Sequence, residues 1–383
     1  MLPMSRPAAP PPAEPRTHLL WDVFCQVIDN YGDVGVLWRL CAALAARGER
    51  VRLWVDDTSA LAWMAPGATE GRWPGVQLRA WSEAEDPANC AALDRADVWI
   101  EGFGCEIPAG FVAHFAGQAQ AAPDARPPVW INLEYLSAQA YVEHNHGLPS
   151  PLLHGPARGW TKIFYYPGFT AGSGGLLRNA LATESLVPDG GDSQPPERAR
   201  CVSLFCYEPG ALAALIKGLG EDPRAARLVV THGRAAAAMR RLLAQPGFEV
   251  PGNVGLEFLP ALSQPQFDAL LGRCDLNLVR GEDSLVQALW AGKPFIWQAY
   301  PQIDDAHRDK LDAFLDWFQA DADVRDLHHA WNGFSKPPDA ARWAQTLADR
   351  EGRWARQVQA ARQRLLVQED LPTQLHRLVA KSR

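Results

Sequence analysis

The chain has 383 residues, of which 47% are hydrophobic and 21% charged. This is a globular composition in a chain too long for one ordinary core, so two domains are expected. A formal net charge of −7 argues against a broad nucleic-acid surface, and no apolar stretch is long enough to cross a bilayer.

Residues 1–17 are rich in Pro and Ala, carry two arginines and lack an apolar core. They read as a disordered tail rather than a signal peptide, and the protein is expected to be cytoplasmic. Strand and helix patterns then alternate, which predicts parallel α/β layers. In the first half strands are predicted over 20–28, 52–55, 98–101, 129–133 and 163–166, with a helix over 36–47. A Pro/Gly/Asp/Ser-rich stretch over 185–197 loses periodicity and is the expected interdomain linker. The second half restarts with a strand over 201–206, a helix over 210–219, a strand over 228–231 and a helix over 235–243. It continues with a strand over 256–259, a helix over 267–274, a strand over 276–279 and a helix over 285–291. A strand over 295–298 and a helix over 306–318 close the series, and from about residue 339 the pattern is helical. The expected organisation is thus a tail (1–17), two Rossmann-like domains (18–190 and 191–350), and a helical segment (351–383) packing back on the first domain.

Seven cysteines form no CxxC pair and sit mostly in apolar runs, which suits reduced thiols used as small buried hydrophobes. The fifteen tryptophans are spread along the chain and read as core and interdomain packing. The ten histidines show no metal-ligand spacing, and His328-His329 reads as a solvated pair.

Two segments carry more polar chemistry than a connection needs. Arg280-Gly281-Glu282-Asp283-Ser284 follows an apolar run and precedes an amphipathic helix that stops at Gly292. That is a strand, a polar turn and a helix N-terminus, where free N–H groups and the helix dipole meet an anion. Arg280 can pair with a phosphate in bidentate fashion, and Ser284 can donate to the same group. Asp283 either accepts from a sugar or base or caps the helix; Glu282 either holds the arginine, the sugar or the incoming substrate. A purely structural Arg–carboxylate cluster is the competing account. The second segment is Asp29-Asn30-Tyr31-Gly32-Asp33, in the turn after the first strand. Either carboxylate can take a proton from a nucleophile, or both simply cap the following helix. Phe205, Tyr207 and Phe258 end strands where they can flank a base or belong to the core, and Gln264 can read a pyrimidine edge. Two doubly wound domains place such loops around a shared cleft, which suits a donor held by one domain and an acceptor by the other. The order of turn, helix, Gly-Pro break, strand and Pro-Gln is typical of nucleotide-sugar glycosyltransferases of the GT-B type.

Trp21 to Leu40 (WDVFCQVIDNYGDVGVLWRL) together with Arg280-Gly281-Glu282-Asp283-Ser284 resembles one family, EarP, protein-arginine rhamnosyltransferases acting on bacterial translation elongation factor P. The likeness extends through Leu53-Trp54-Val55-Asp56-Asp57, Trp130-Ile131-Asn132-Leu133-Glu134-Tyr135-Leu136-Ser137, Phe164 to Phe169, Ser203 to Glu208, and Tyr300-Pro301-Gln302. It implies a GT-B fold, dTDP-β-L-rhamnose as donor, an arginine of elongation factor P as acceptor, inversion at the anomeric carbon, and no metal or other cofactor; nothing in the sequence demands more than a monomer. It also implies Asp33 as general base with Asp29 beside it, and Glu282 as a second catalytic carboxylate. Asn30, Tyr31 and Gly32 would border the sugar, while Arg280, Gly281, Asp283 and Ser284 would hold the dTDP. Phe205, Tyr207, Phe258, Leu259 and Gln264 would frame thymine and deoxyribose, with Tyr300 nearby. The chain departs from the family in interposing Ala261-Leu262-Ser263 between Phe-Leu-Pro and Gln264. The alternatives are a GT-B enzyme with another nucleotide sugar or a small acceptor, and a non-catalytic nucleotide-binding module.

Overall fold

The computed structural model describes residues 18–28, 31–121, 126–179, 199–302, 305–348 and 352–383. Two sheets organise it. The first contains β1 (Leu20–Cys25), β2 (Arg50–Val55), β3 (Val76–Ala80), β4 (Val98–Gly102), β5 (Val129–Leu133), β6 (Pro149–Pro151) and β7 (Thr161–Tyr165), in the order β3-β2-β1-β4-β5-β7-β6. All pairs are parallel except β6 with β7. The second contains β8 (Arg200–Leu204), β9 (Ala226–Val230), β10 (Val254–Phe258), β11 (Leu276–Arg280) and β12 (Phe295–Gln298), all parallel, in the order β10-β9-β8-β11-β12. Strand β3, β6 and the helix Ala109–Ala121 have no counterpart among the sequence expectations. The expected linker over 185–197 lies outside the described residues.

The central strands are apolar on both faces, as a sheet covered on both sides requires. In β1, Trp21, Val23 and Cys25 pack under helix Gly32–Ala45, while Phe24 joins Trp54, Trp99, Phe111 and Trp130 on the other face. Asp22 is fully buried on β1 and accepts from Arg52 Nε at 2.6 Å, Arg52 Nη2 at 2.7 Å and Trp54 Nε1 at 2.8 Å. Burial pushes its carboxyl up from the usual value, against the pull of Arg52. All seven cysteines are free and buried.

The C-terminal helices divide between the two cores. Helix Arg353–Leu366 sets Trp354, Val358, Ala361 and Leu365 into the core of the second sheet. Helix Leu371–Ser382 sets Leu371, Leu375 and Val379 against the first. The chain therefore crosses back, and these two consecutive helices, one on each core, tie the two units together.

Two segments depart from what their sequence pattern suggests. Helix Gly281–Ala291 is not amphipathic: Ser284 through Ala291 are all buried, because β11, β12 and helix Arg353–Leu366 surround it. His328 is fully buried rather than solvated; its Nδ1 lies 2.9 Å from Val324 O, and burial lowers its pKa to about 4. Its neighbour His329 lies with Nε2 2.6 Å from Asp312 Oδ1.

Helix Gln264–Arg273 shows how the site is positioned locally. Ser263 Oγ accepts from the Gln266 N–H and the Gln266 side chain returns to the Ser263 N–H, with Pro265 in the first turn. Ser263→Ala should cost about 1 kcal/mol, read as a lower urea midpoint at unchanged slope.

Candidate active site

Both sheets reverse their strand order next to the first strand, between β1 and β4 and between β8 and β11. Doubly wound sheets bind ligands outside the carboxyl ends of the strands at that point. The chemistry-bearing segments leave those strand ends: residues 26–33 after β1, Phe103 after β4, Phe205 to Tyr207 after β8, and Arg280 to Ser284 at the end of β11.

The segment Arg280–Ser284 is not a turn. Arg280 is still extended (φ −137°, ψ 154°), and the helix begins at Gly281 with φ 66°. A strand passing straight into a helix needs that left-handed residue, which glycine adopts at little cost. A side chain there would also meet the Tyr207 hydroxyl at 3.3 Å. Trp297 Nε1 donates to Gly281 O at 2.7 Å and fixes the junction. Ser284 closes it from inside: its hydroxyl donates to Arg280 O and accepts from the Arg280 N–H at 3.0 Å.

Arg280 projects between aromatic rings, its guanidinium 4.5 Å from the Phe205 ring centre and 4.6 Å from that of Tyr207. It also donates to Cys206 O at 3.3 Å. Tyr300 meets Tyr207 edge-on at 5.6 Å, and the Arg234 guanidinium lies 5.1 Å over Tyr207. Burial lowers the Arg280 pKa, opposed by Tyr207 and reinforced by Arg234, yet a guanidinium stays charged throughout the physiological range. Among the described residues no carboxylate forms an ion pair with Arg280 or Arg234. Two cations around one ring at a helix N-terminus, with no carboxylate paired to either among the described residues, are an arrangement able to receive a phosphate.

The remaining donor-side residues divide. Phe258 is exposed at the end of β10 under the Arg240 guanidinium, 5.1 Å away. The Leu259 N–H donates to Val230 O at 2.9 Å, and its side chain packs against Cys201, Val229, Leu270 and Cys274. Gln264 reaches across to the first unit, donating from Nε2 to Gly35 O at 2.8 Å. Asp283 also faces the first unit, accepting from Arg39 Nε at 3.1 Å and from Gln287 Nε2 at 2.9 Å. Arg39 additionally makes two bonds of 2.8 Å to Asp268. Neither Arg39 nor Asp268 was foreseen, although Arg39 lies in the quoted Val36-Leu37-Trp38-Arg39-Leu40 run.

On the acceptor side Asp33 sits in the first turn of helix Gly32–Ala45. Burial pushes its carboxyl up to about 6, with Glu282 adding and the Tyr135 hydroxyl, which donates to Oδ2 at 3.1 Å, opposing. A carboxylate of that pKa is ionised at neutral pH and still basic enough to take a proton. Tyr31 is exposed beside Trp63, their ring centres 6.4 Å apart. Asp29 and Asn30 lie outside the described residues. Glu282 comes from the other unit and is fully engaged: Oε2 accepts from the Leu136 N–H at 2.8 Å, and Oε1 pairs with Lys310. The fold thus brings Asp33, Glu282 and Tyr135 together. Tyr135 and Lys310 were not singled out by sequence, since a tyrosine in an aromatic-rich run and a lysine on a charged helix carry no distinguishing pattern.

The chain matches, over residues 21–380, the family described as Elongation-Factor P (EF-P) rhamnosyltransferase EarP. It is 40% identical over 343 residues to a protein-arginine rhamnosyltransferase of Pseudomonas putida, covering 82% of this chain and 86% of the relative. A protein of the same description from Pseudomonas aeruginosa is 38% identical over 373 residues, covering 87% and 95%. A solved structure described as the structural basis for EarP-mediated arginine glycosylation of translation elongation factor EF-P shares 27% identity. It has a TM-score of 0.59 and covers 95% of this chain and 100% of that one. A kitacinnamycin glycosyltransferase, 15% identical with a TM-score of 0.51 over 95% and 98% of the two chains, agrees in fold alone. Two facing Rossmann-like units with these neighbours make the architecture GT-B, and the chain belongs to the EarP family of elongation-factor P rhamnosyltransferases.

Proposed function

We propose that this protein transfers L-rhamnose from dTDP-β-L-rhamnose to an arginine side chain of translation elongation factor P, with inversion at the anomeric carbon and without a metal ion. The single observation that carries the reading is that Glu282, two residues from Arg280 in the second unit, stands close enough to Asp33 of the first to raise its pKa, so a basic carboxylate and an arginine without a carboxylate partner among the described residues meet at the junction of the two units. A nucleophile needs the carboxylate and a diphosphate leaving group the arginine.

In this reading an acceptor guanidinium nitrogen attacks the anomeric carbon from the face opposite the nucleotide. The C–N bond forms as the bond from carbon to the diphosphate oxygen breaks, and the proton leaving nitrogen goes to Asp33. A guanidinium is a weak nucleophile because its lone pairs are delocalised. Carboxylates near it localise the charge, which is the task proposed for Asp33, Asp29 and the Glu282 carboxylate. Arg280, with Arg234 beside it and the N–H groups of the helix beginning at Gly281, stabilises the charge that develops on the diphosphate. Phe205, Tyr207 and Tyr300 wall the nucleotide, with Phe258, Leu259 and Gln264 towards the base. Asn30, Tyr31 and Gly32 border the sugar, while Asp283 and Ser284 act through the shape of the cradle, given the bonds they already make.

The protein is proposed to act as a monomer in the cytoplasm; among the described residues no helix is long and apolar enough to cross a membrane. The test is the intact mass of elongation factor P after incubation with this protein and a panel of dTDP-rhamnose, dTDP-glucose and UDP-glucose. The expected result is one deoxyhexose added on an arginine with dTDP-rhamnose only. Transfer of a hexose from UDP-glucose would replace the donor, and no mass change with any donor would sink the reading.

A further inference from the structure

Asp33 accepts a hydrogen bond from a residue outside the assigned machinery. Tyr135 follows β5, is 41% exposed, and yet directs its hydroxyl at Asp33 Oδ2, 3.1 Å away. Three contacts hold it there. Its ring stacks on that of Phe103 with centroids 4.6 Å apart and planes at 21°. Phe103 itself is in a left-handed conformation (φ 57°), rare for a bulky residue, and its N–H donates to Leu133 O at 2.7 Å. On the other side, the N–H of Leu136 donates to Glu282 Oε2 at 2.8 Å, so the tyrosine's own backbone is pinned to the opposite unit. Strained backbone concentrates where a side chain must be aimed.

We propose that Tyr135 is the positioning residue of the Asp33 carboxylate, occupying Oδ2 so that Oδ1 is the oxygen that receives the proton, with Phe103 as the platform that sets its angle. This rests on the general-base reading of Asp33 given above. A carboxylate with both oxygens free rotates and is solvated on either; one held by a phenol presents a single lone-pair direction. Among the described residues, the titratable groups facing Asp33 are Tyr135 from the segment after β5, Glu282 from helix Gly281–Ala291, and the buried Cys25 thiol at the end of β1. Lys310 occupies the far oxygen of Glu282. The phenol favours the ionised carboxylate and the Glu282 charge opposes it, so Tyr135 helps to keep Asp33 available at neutral pH.

The sign follows. A base works only when deprotonated, so losing a donor to its charged form raises its pKa and moves the acid limb of the rate profile to higher pH. Tyr135→Phe keeps the ring and the stack and deletes the hydroxyl. The expected result is an acid limb of kcat/KM raised by about one pH unit, a roughly fivefold deficit at pH 6 that approaches about tenfold at more acid pH and closes by about pH 8, and an unchanged KM for dTDP-rhamnose. Titration of the Asp33 carboxyl by carbon-13 NMR should show the same upward shift without reference to turnover. Phe103→Leu, which keeps the hydroxyl but removes its platform, should lower kcat with a smaller shift. An unmoved limb and an unmoved Asp33 titration in Tyr135→Phe overturn the proposal. So does a raised KM for elongation factor P with an unmoved limb, which would make Tyr135 a docking contact. If Asp33→Asn is fully active, the base reading has failed and takes this proposal with it. If Asp33→Asn is dead while Tyr135→Phe titrates as the wild type, only the role of Tyr135 is lost.

Discussion

Asp33→Asn should lower the turnover of rhamnose transfer by about 10²- to 10⁴-fold, the range spanned by removal of a positioned general base, while leaving donor binding intact. Asparagine preserves the shape and leaves an oxygen for the Tyr135 hydroxyl, so the loss isolates proton transfer. The wild-type profile should fall away below pH 6, because burial holds the Asp33 carboxyl at about 6 and the protonated acid accepts nothing. What activity the variant retains should lack that limb. Stability should move the other way. A carboxyl whose folded pKa lies above its unfolded value binds its proton more tightly in the native state. Its contribution is favourable below the unfolded pKa and is lost as pH rises through about 6. At pH 7.5 the variant should therefore unfold at an equal or higher urea concentration than wild type, the mark of a group retained for chemistry rather than for the fold. Full activity of Asp33→Asn in a rhamnose-transfer assay removes Asp33 from the base role.

The alternating architecture was legible because the central strands are buried on both faces and read as apolar runs, as in Val129–Leu133 and Leu276–Arg280. The elements that escaped carry weaker patterns. Edge strand β3 (VQLRA) is five residues between Gly75 and a helix that starts at the next residue. Helix Ala109–Ala121 has apolar residues on most sides and two glycines, and its period is blurred. The segment Arg280–Ser284 was found, but its geometry was not: a strand that becomes a helix within one residue is invisible unless Gly281 is recognised as left-handed. Its helix looked amphipathic because Gln287 and the flanking charges read as a polar face. In the fold Gln287 is buried, accepting from Asn179 and donating to Asp283. What sequence could not supply is any pairing between units. Gly35 with Gln264 and Arg39 with Asp268 are each 229 positions apart, and nothing local marks one as the partner of the other.

That pairing has the largest expected structural effect. Gly35 and Arg39 are one helical turn apart, as are Gln264 and Asp268, so helices Gly32–Ala45 and Gln264–Arg273 meet in two rungs of matching spacing. The lower rung is an ion cluster in which Arg39 is shared by Asp268 and Asp283, with side-chain exposures of 12%, 12% and 22%. Arg39→Ala would leave two carboxylates facing each other with no cation, and breaking such a pair from one side costs about 3–5 kcal/mol. Burial raises the Asp268 pKa, with Arg39 pulling it back and Asp283 adding to the rise. Without Arg39 the rise must grow. A raised folded pKa is a penalty on the ionised form that increases with pH and is relieved on acidification, so the deficit should be smaller at pH 5.0 than at pH 7.5. Because the cluster joins the two units rather than filling either core, the loss should also uncouple them, and one urea transition should become two. A variant within about 1 kcal/mol of wild type at pH 7.5, the worth of an exposed pair, with a single transition, would mean that the rung does not hold the units together in solution. The donor-side carboxylate Asp283 would then be free of the first unit, while Arg280 and Ser284 would keep the bonds that already join them within the second.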